Sequence, residues 1–271
     1  MQNKYNEIFS RNIGIFTKDE QKKLKNTTMA VAGVGGVGGL LAERLVRLGV
    51  GNIKITDLGT FEASNLNRQF GSTMLNLDMY KAGVVYEEIK KINPESKIEY
   101  NNSGIESEDD ANRLVDGCDL VIDEMDYGAW RESILLQRAA RKKGIYYIFS
   151  GAVGFGALLA NFDPQGITLE EYNRLPENMD LNNKEVIFVA AERMLPVMPS
   201  YTDRTMSSDM MREIIAGKRP VPTCSIGAGL ASILAANEAA NIILGRKEIV
   251  KAPEYIYVDL LDQKFIIGIL S

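Results

Sequence analysis

The chain contains no histidine, and that absence removes histidine general bases, serine–histidine triads and ordinary histidine metal sites. Any chemistry has to run on carboxylates, lysine, arginine, backbone groups or a thiol. Cysteine is nearly missing as well: Cys118 and Cys224 are the two in the sequence, too few for a disulfide framework or a four-thiolate zinc site. Long apolar runs are lacking. The longest stretches are broken by Glu, Asn or Gly before the roughly 20 residues that a membrane span needs, and no basic start followed by an apolar core marks a signal peptide. Positive charge is not in excess either: 31 Lys and Arg stand against 36 Asp and Glu, a net charge of −5, which argues against broad nucleic-acid binding. These absences lead to the expectation of a cytoplasmic protein with no zinc, no nucleic-acid partner and no membrane partner.

What is present is an ordinary globular composition, 45% hydrophobic and 25% charged over 271 residues, enough to bury a full core. Its centre is Ala30-Val31-Ala32-Gly33-Val34-Gly35-Gly36-Val37-Gly38-Gly39. The apolar run from Met29 to Ala32 reads as a buried strand, and five of the next seven residues are glycine. Leu41, Leu45 and Leu48 then recur at helical spacing. A strand, a glycine turn and a helix start make a phosphate site, because glycine lets the backbone approach the phosphates and the free N–H groups of the helix end face negative charge. Gly33, Gly35 and Gly38 fit G-x-G-x-x-G, with Gly36 inside it. Asp57 closes the next apolar run, Ile53 to Thr56, where a ribose-binding acid belongs. The glycines specify a nucleotide without choosing which one.

The rest of the chain alternates strand and helix. Thr17-Lys18-Asp19-Glu20 is a capping-box signature for a helix to about Lys25. Phe61 to Gly71 has neither period and reads as a loop. Asp78 is the expected cap of a helix carrying Ala82, Val85, Ile89 and Ile92, with Lys81 in its first turn, where a lysine runs against the helix dipole unless an anion is near. Lys97 to Tyr100 and Asp119 to Asp123 read as strands, and Glu108 to Val115 and Ala129 to Lys142 as helices. Ile145 to Phe149 is the next strand, and Gly151 to Asn161 another. The alternation predicts an α/β fold, Rossmann-like and doubly wound, with a mainly parallel sheet. Ser207 to Ala216 and Ser225 to Leu244 read as helices. Two final strands, Glu254 to Leu260 and Lys264 to Leu270, add a C-terminal antiparallel pair. The expected organisation is a single domain over 1–271: a helical leader (1–27), a nucleotide-binding core (28–162), a variable segment covering the site (163–222), and a C-terminal helix and strands (223–271). Asp57 and the acids Asp123, Glu124 and Asp126 fall at the carboxyl ends of strands, where ligands bind in such sheets. Three acids within four residues are costly unless they are solvated, protonated or facing a cation.

Taken together, these residues resemble the ThiF/MoeB/HesA family, the bacterial relatives of ubiquitin-activating enzymes. The likeness is carried by Gly33 to Gly38, Arg47-Leu48-Gly49-Val50-Gly51, Asp57, Ser64-Asn65-Leu66-Asn67-Arg68-Gln69, Lys81, and Asp123-x-x-Asp126 with Arg131. It implies an ATP-dependent adenylyltransferase that activates a carboxylate as an acyl-adenylate and releases pyrophosphate. It further implies that Asp57 holds the ribose, the glycine loop cradles phosphates, and Arg68 and Lys81 bind phosphate charge. Asn65 and Gln69 would orient their loop, Asp126 would hold Mg²⁺, and Arg11 would reach the ATP of a neighbouring subunit in a homodimer. The substrate could be the C-terminus of a small ubiquitin-like carrier protein, a peptide or a small-molecule acid. Attack at the α-phosphorus needs charge neutralisation and alignment rather than a histidine base.

The sequence departs from the family pattern in three places. Gly59 stands where a second acid often follows the ribose acid. The paired zinc cysteines are missing. Cys224 lies too near the late helix for the usual acceptor cysteine and reads as a small packed residue. Two rival readings remain at this point. An NAD-dependent oxidoreductase would use Gly33 to Asp57 but leave Asn65, Arg68, Gln69 and Lys81 idle, and a non-catalytic nucleotide-binding partner subunit would not need Asp126 and Arg68.

Overall fold

The computed structural model describes residues 4–270 apart from 178, 182–186, 188, 191, 192, 194 and 217. Apolar runs buried on both faces become the central parallel strands β1 (Thr28–Ala32) and β4 (Leu120–Asp123), flanked by the partly buried β2 (Asn52–Thr56) and β5 (Tyr146–Val153) and the largely exposed β3 (Lys97–Asn101). β6 (Gly156–Phe162), β7 (Glu254–Asp259) and β8 (Lys264–Ile269) continue the same sheet antiparallel, in the order β3-β2-β1-β4-β5-β6-β7-β8. The order reverses between β1 and β4, so the crevice of this α/β sheet opens at their carboxyl ends.

The helices are α1 (Tyr5–Ile8), α2 (Lys18–Asn26), α3 (Gly38–Leu48), α4 (Lys81–Ile92), α5 (Glu108–Val115), α6 (Trp130–Lys143), α7 (Leu169–Tyr172), α8 (Thr202–Thr205), α9 (Ser208–Ile215) and α10 (Ser225–Leu244). Alternation along β1 divides the interior in two. Met29 and Val31 meet Leu41 and Leu45 of α3 and Ala235 and Ala239 of α10. Ala30 and Ala32 face the other way, toward Leu114 of α5 and Leu136 of α6. Contrary to the expectation of no span-length apolar stretch, α10 is long and apolar enough by length and composition to cross a membrane. In this fold its small residues Ala228, Ala231 and Ala235 are buried, and the helix lies across β5 and β6.

Two boundaries differ from the sequence reading. The glycine-rich run 151–161 is not one strand: Gly154 takes φ +57° and turns the chain between β5 and β6. Asp78 does not cap α4. It sits at φ +64°, and Tyr80 takes the cap position without a side-chain bond. Asp78 instead gives its backbone N–H to Phe61 O at 2.9 Å, tying the loop across the helix entrance. At the far end of the sheet β8 carries Phe265, Ile267 and Ile269 exposed on one face.

Candidate nucleotide site

β1 stops at Gly33 because the chain must turn left-handed there, at φ +83°, and a Cβ on Gly33 would lie 2.5 Å from the carbonyl oxygen of Glu124. Gly38 is as constrained, since a Cβ there would lie 1.8 Å from Gly33 O. The backbone therefore folds tightly against the end of β4. α3 opens on Gly38 with no side-chain cap from Val37, and the N–H groups of Gly35, Gly36 and Val37 have no hydrogen-bond partner among the described residues. A helix start with free amides and glycine approach is an anion cradle.

The polar residues singled out in sequence converge on this cradle. The Arg68 side chain lies over Gly36, its Nε 3.1 Å from where a Cβ would stand, and the Gln69 amide faces Gly35 at 3.7 Å. Asp57 joins the loops after β1 and β2: one carboxylate oxygen accepts from Val34 N–H at 2.8 Å and the other from Gly59 N–H at 2.8 Å. Lys81 opens α4, held by Gly59 O at 3.0 Å. Its Nζ and an Asp57 oxygen lie 3.4 and 3.2 Å from the point where a Gly59 Cβ would be. A side chain at position 59 would therefore need Asp57 and Lys81 to shift slightly. Asn65 is buried and works on its own loop, its side chain accepting from Glu62 N–H at 3.1 Å and its backbone carbonyl accepting from Arg68 N–H and Gln69 N–H. Gln69 is buried too, with Oε1 unpartnered.

The three acids at the end of β4 have separate surroundings. Asp123 is fully buried, accepts from Met125 N–H at 2.9 Å and receives the Tyr147 hydroxyl. Burial raises its carboxyl above the ordinary value, with bonds from Ser133 and Tyr147 opposing. Glu124 receives the Ser150 hydroxyl, and burial of its carboxyl pushes it well up. Asp126 is exposed, and its side chain has no bond to any described residue. Among the described residues no three acidic or cysteine side chains converge as a metal cage. One free carboxylate beside a phosphate cradle is nonetheless what Mg²⁺ takes when phosphates supply its other ligands. In donor type the set is compatible with ATP and Mg²⁺: amides and two cations could hold phosphates, Asp57 could hold a ribose and Asp126 could hold the ion.

Arg11 stands apart. Its turn, Ser10–Asn12, is fastened by Asn12 to Leu48 O at 3.3 Å, at the opposite end of α3 from the glycine loop. Eleven helical residues separate the two by about 16 Å. Arg131 is structural, donating to Leu181 O at 2.7 Å and Glu106 O at 3.0 Å. Cys118 is buried, its thiol pushed up to about 11 by burial. Cys224 precedes α10, half-buried, with its thiol on Gly154 O at 3.3 Å. Tyr147 and Ser150 were not singled out in sequence. Ser150 had a signal, since it follows the apolar run of β5 at the carboxyl edge where the acids of β4 end.

The ThiF family model matches residues 9–267. Among curated proteins, the chain is 31% identical over 121 residues to the tRNA threonylcarbamoyladenosine dehydratase of Haemophilus influenzae, covering 45% of this chain and 46% of that one. It is 31% identical over 136 residues to the sulfur carrier protein ThiS adenylyltransferase of Bacillus subtilis, covering 49% of this chain and 40% of that one. The chain thus spans about half or less of the length of these relatives. Escherichia coli MccB solved with ATP superposes with a TM-score of 0.72 at 19% identity, over 100% of this chain and 74% of that one. MccB solved with MccA gives 0.73 at 19%, with the same coverage. At that identity the likeness is one of fold.

Proposed function

The chain belongs to the ThiF family, and from that membership and its site we propose that it is an adenylyltransferase, using ATP to convert a carboxylate into an acyl-adenylate with release of pyrophosphate. The observation that carries this reading is the gathering of Arg68 and Lys81 around the glycine loop and Asp57. A dinucleotide-dependent oxidoreductase needs the loop and the acid but has no use for two phosphate-directed cations beside them.

The residues divide the work by charge. The Gly35 to Val37 amides and the guanidinium of Arg68 hold phosphate oxygens, and Lys81 approaches from the start of α4. Asp57 meets the ribose hydroxyls at the end of β2. Asp126 would hold Mg²⁺, which would supply charge neutralisation for the pyrophosphate. Asp123 keeps the β4 turn in shape through Met125 N–H and leaves the metal to its neighbour. The acid to be activated enters at the open ends of β4 and β5. It is the C-terminus of a carrier protein, a peptide or a small acid, in line with relatives named for ThiS and structures holding MccA. The net charge of −5 does not favour a nucleic-acid substrate. Arg11, remote from its own loop, supports a homodimer in which each subunit completes its neighbour's site. Ile13, Ile15 and Ile233, exposed on that side of the molecule, are surface for a second copy to cover.

Exchange of labelled pyrophosphate into ATP tests the reading. Exchange that depends on one member of a panel of carrier proteins, peptides and small acids is expected. Tight NAD binding with no response to ATP and Mg²⁺ would sink it.

A further inference from the structure

Arg68 is not held by the nucleotide loop alone. Its Nη1 donates to Asn67 Oδ1 at 2.8 Å and to Ser64 O at 3.2 Å. The other end of the Asn67 amide donates to Thr223 O at 3.0 Å, across 156 residues of chain. Thr223 is in turn fixed. It bridges Gly154 in the β5–β6 turn, and the start of α10 is pressed onto that turn, a Cβ at Gly227 lying 2.2 Å from Gly154 O.

The turn itself is fastened from a third direction. The Tyr201 hydroxyl accepts from Phe155 N–H at 2.6 Å and donates to the buried carboxylate of Asp259 at 3.1 Å. Its ring stands edge-on to Phe155, centroids 5.5 Å apart. Asp259 is anchored by the Tyr257 hydroxyl at 3.0 Å and by Asp262 N–H at 2.8 Å. Gly154 has to be glycine for two reasons: φ is +57°, and a Cβ would lie 2.2 Å from the Tyr201 oxygen.

We infer that Tyr201 is a positioning residue for Arg68: by pinning the β5–β6 turn to Asp259 it fixes Thr223, Thr223 fixes Asn67, and Asn67 holds the guanidinium over Gly36. Asn67 is the link that a motif reading passes over, because its neighbours carry the recognised roles. With one amide it satisfies both the guanidinium and a backbone carbonyl from the far end of the chain. Without the Thr223 acceptor, the Asn67 side chain is free to rotate, and Arg68 is left with the longer bond to Ser64 O. The segment around 201 thereby sets how the phosphate-directed cation is aimed, though it touches neither glycine loop nor phosphate.

This inference rests on the adenylation reading, and a double-mutant cycle on nucleotide affinity tests it. ATP with Mg²⁺ and, separately, adenosine are titrated calorimetrically into the parent protein, Tyr201→Phe, Asn67→Ala and the double variant. Each single variant is expected to bind ATP about fivefold more weakly, the scale of one net hydrogen bond. The double variant should be little worse than either, because both break one linkage. Adenosine, which lacks the phosphates that Arg68 serves, should bind all four alike. ATP affinity at the parent level in both single variants overturns the inference. So does a double variant whose loss is the product of the two, or a loss shared equally by adenosine. Should Tyr201→Phe fail to fold, Asn67→Ala on the exposed loop reads the last link, and its equal binding of ATP would be enough to reject it. A parent protein that binds no ATP overturns the adenylation reading itself, a different result from a parent that binds and variants that match it.

Discussion

Three acids follow one another at the end of β4, and their surroundings sort them. Asp123 and Glu124 spend their carboxyl groups on Tyr147 and Ser150, whereas Asp126 is exposed and free of bonds to described residues. Asp126→Asn keeps size and hydrogen bonding and removes the charge, so the fold should survive while adenylyl transfer slows by about a hundredfold or more, roughly 3 kcal/mol of transition-state stabilisation. Rates of pyrophosphate exchange check this, and a parent-like rate in Asp126→Asn beside a dead Asp123→Asn would move the metal to the other acid. Spacing alone crowds the acids, and it is the family resemblance that singles out Asp126. What occupies the other two could not be read, because it depends on β5, whose Tyr147 and Ser150 reach β4 across the sheet. Asp57 carries a different lesson. Both of its oxygens hold backbone amides of two loops, so Asp57→Ala removes a loop clamp along with the proposed ribose contact, and its effect on affinity is not the value of either.

At the scale of elements, the leader shows how local chemistry and a distant contact combine. Thr17 and Glu20 close a reciprocal capping box at the start of α2, with bonds of 3.2 and 2.7 Å. The same carboxylate also receives Arg246, from beyond α10, at 2.7 and 2.8 Å. These bonds, Arg246 first, lower the Glu20 carboxyl to about 2. A group depressed in the folded state stabilises above its unfolded value, near 4.5, and that contribution is lost as pH falls toward 2. Glu20→Gln should therefore flatten the acid limb of a melting-temperature profile between about pH 4.5 and 2, leaving the neutral region to report the lost cap and pair alone. The capping box was legible because it lies within four consecutive residues. So were α5 and the β1–α3 unit, whose periods are unbroken, and α10, a long run of small and apolar residues stopped by Gly245. Arg246 was not, because no local pattern says what lies 226 residues away. The β5–β6 turn was missed for a related reason: glycines at 151, 154 and 156 read as close packing, and a single φ at Gly154 separates two strands from one.

For the molecule as a whole, the position of Arg11 at the wrong end of α3 bears most on function. If each subunit supplies Arg11 to the other, Arg11→Ala should bind ATP yet adenylate poorly, and so should Lys81→Ala. An equimolar mixture re-equilibrated by dilution and concentration should recover about a quarter of parent activity, since half of the dimers are mixed and each has one complete site. A monomer by light scattering, or a mixture no better than its components, would remove the shared site. The sheet that carries these sites ends in two unlike ways. β3 exposes Lys97 and Glu99, charges that discourage another strand from adding there, while β8 exposes Phe265, Ile267 and Ile269 beside an open row of backbone groups. Strand addition in crowded solution is therefore directed to one edge, so loss of colloidal stability should begin at β8, and a lysine on that strand is the simplest guard against it.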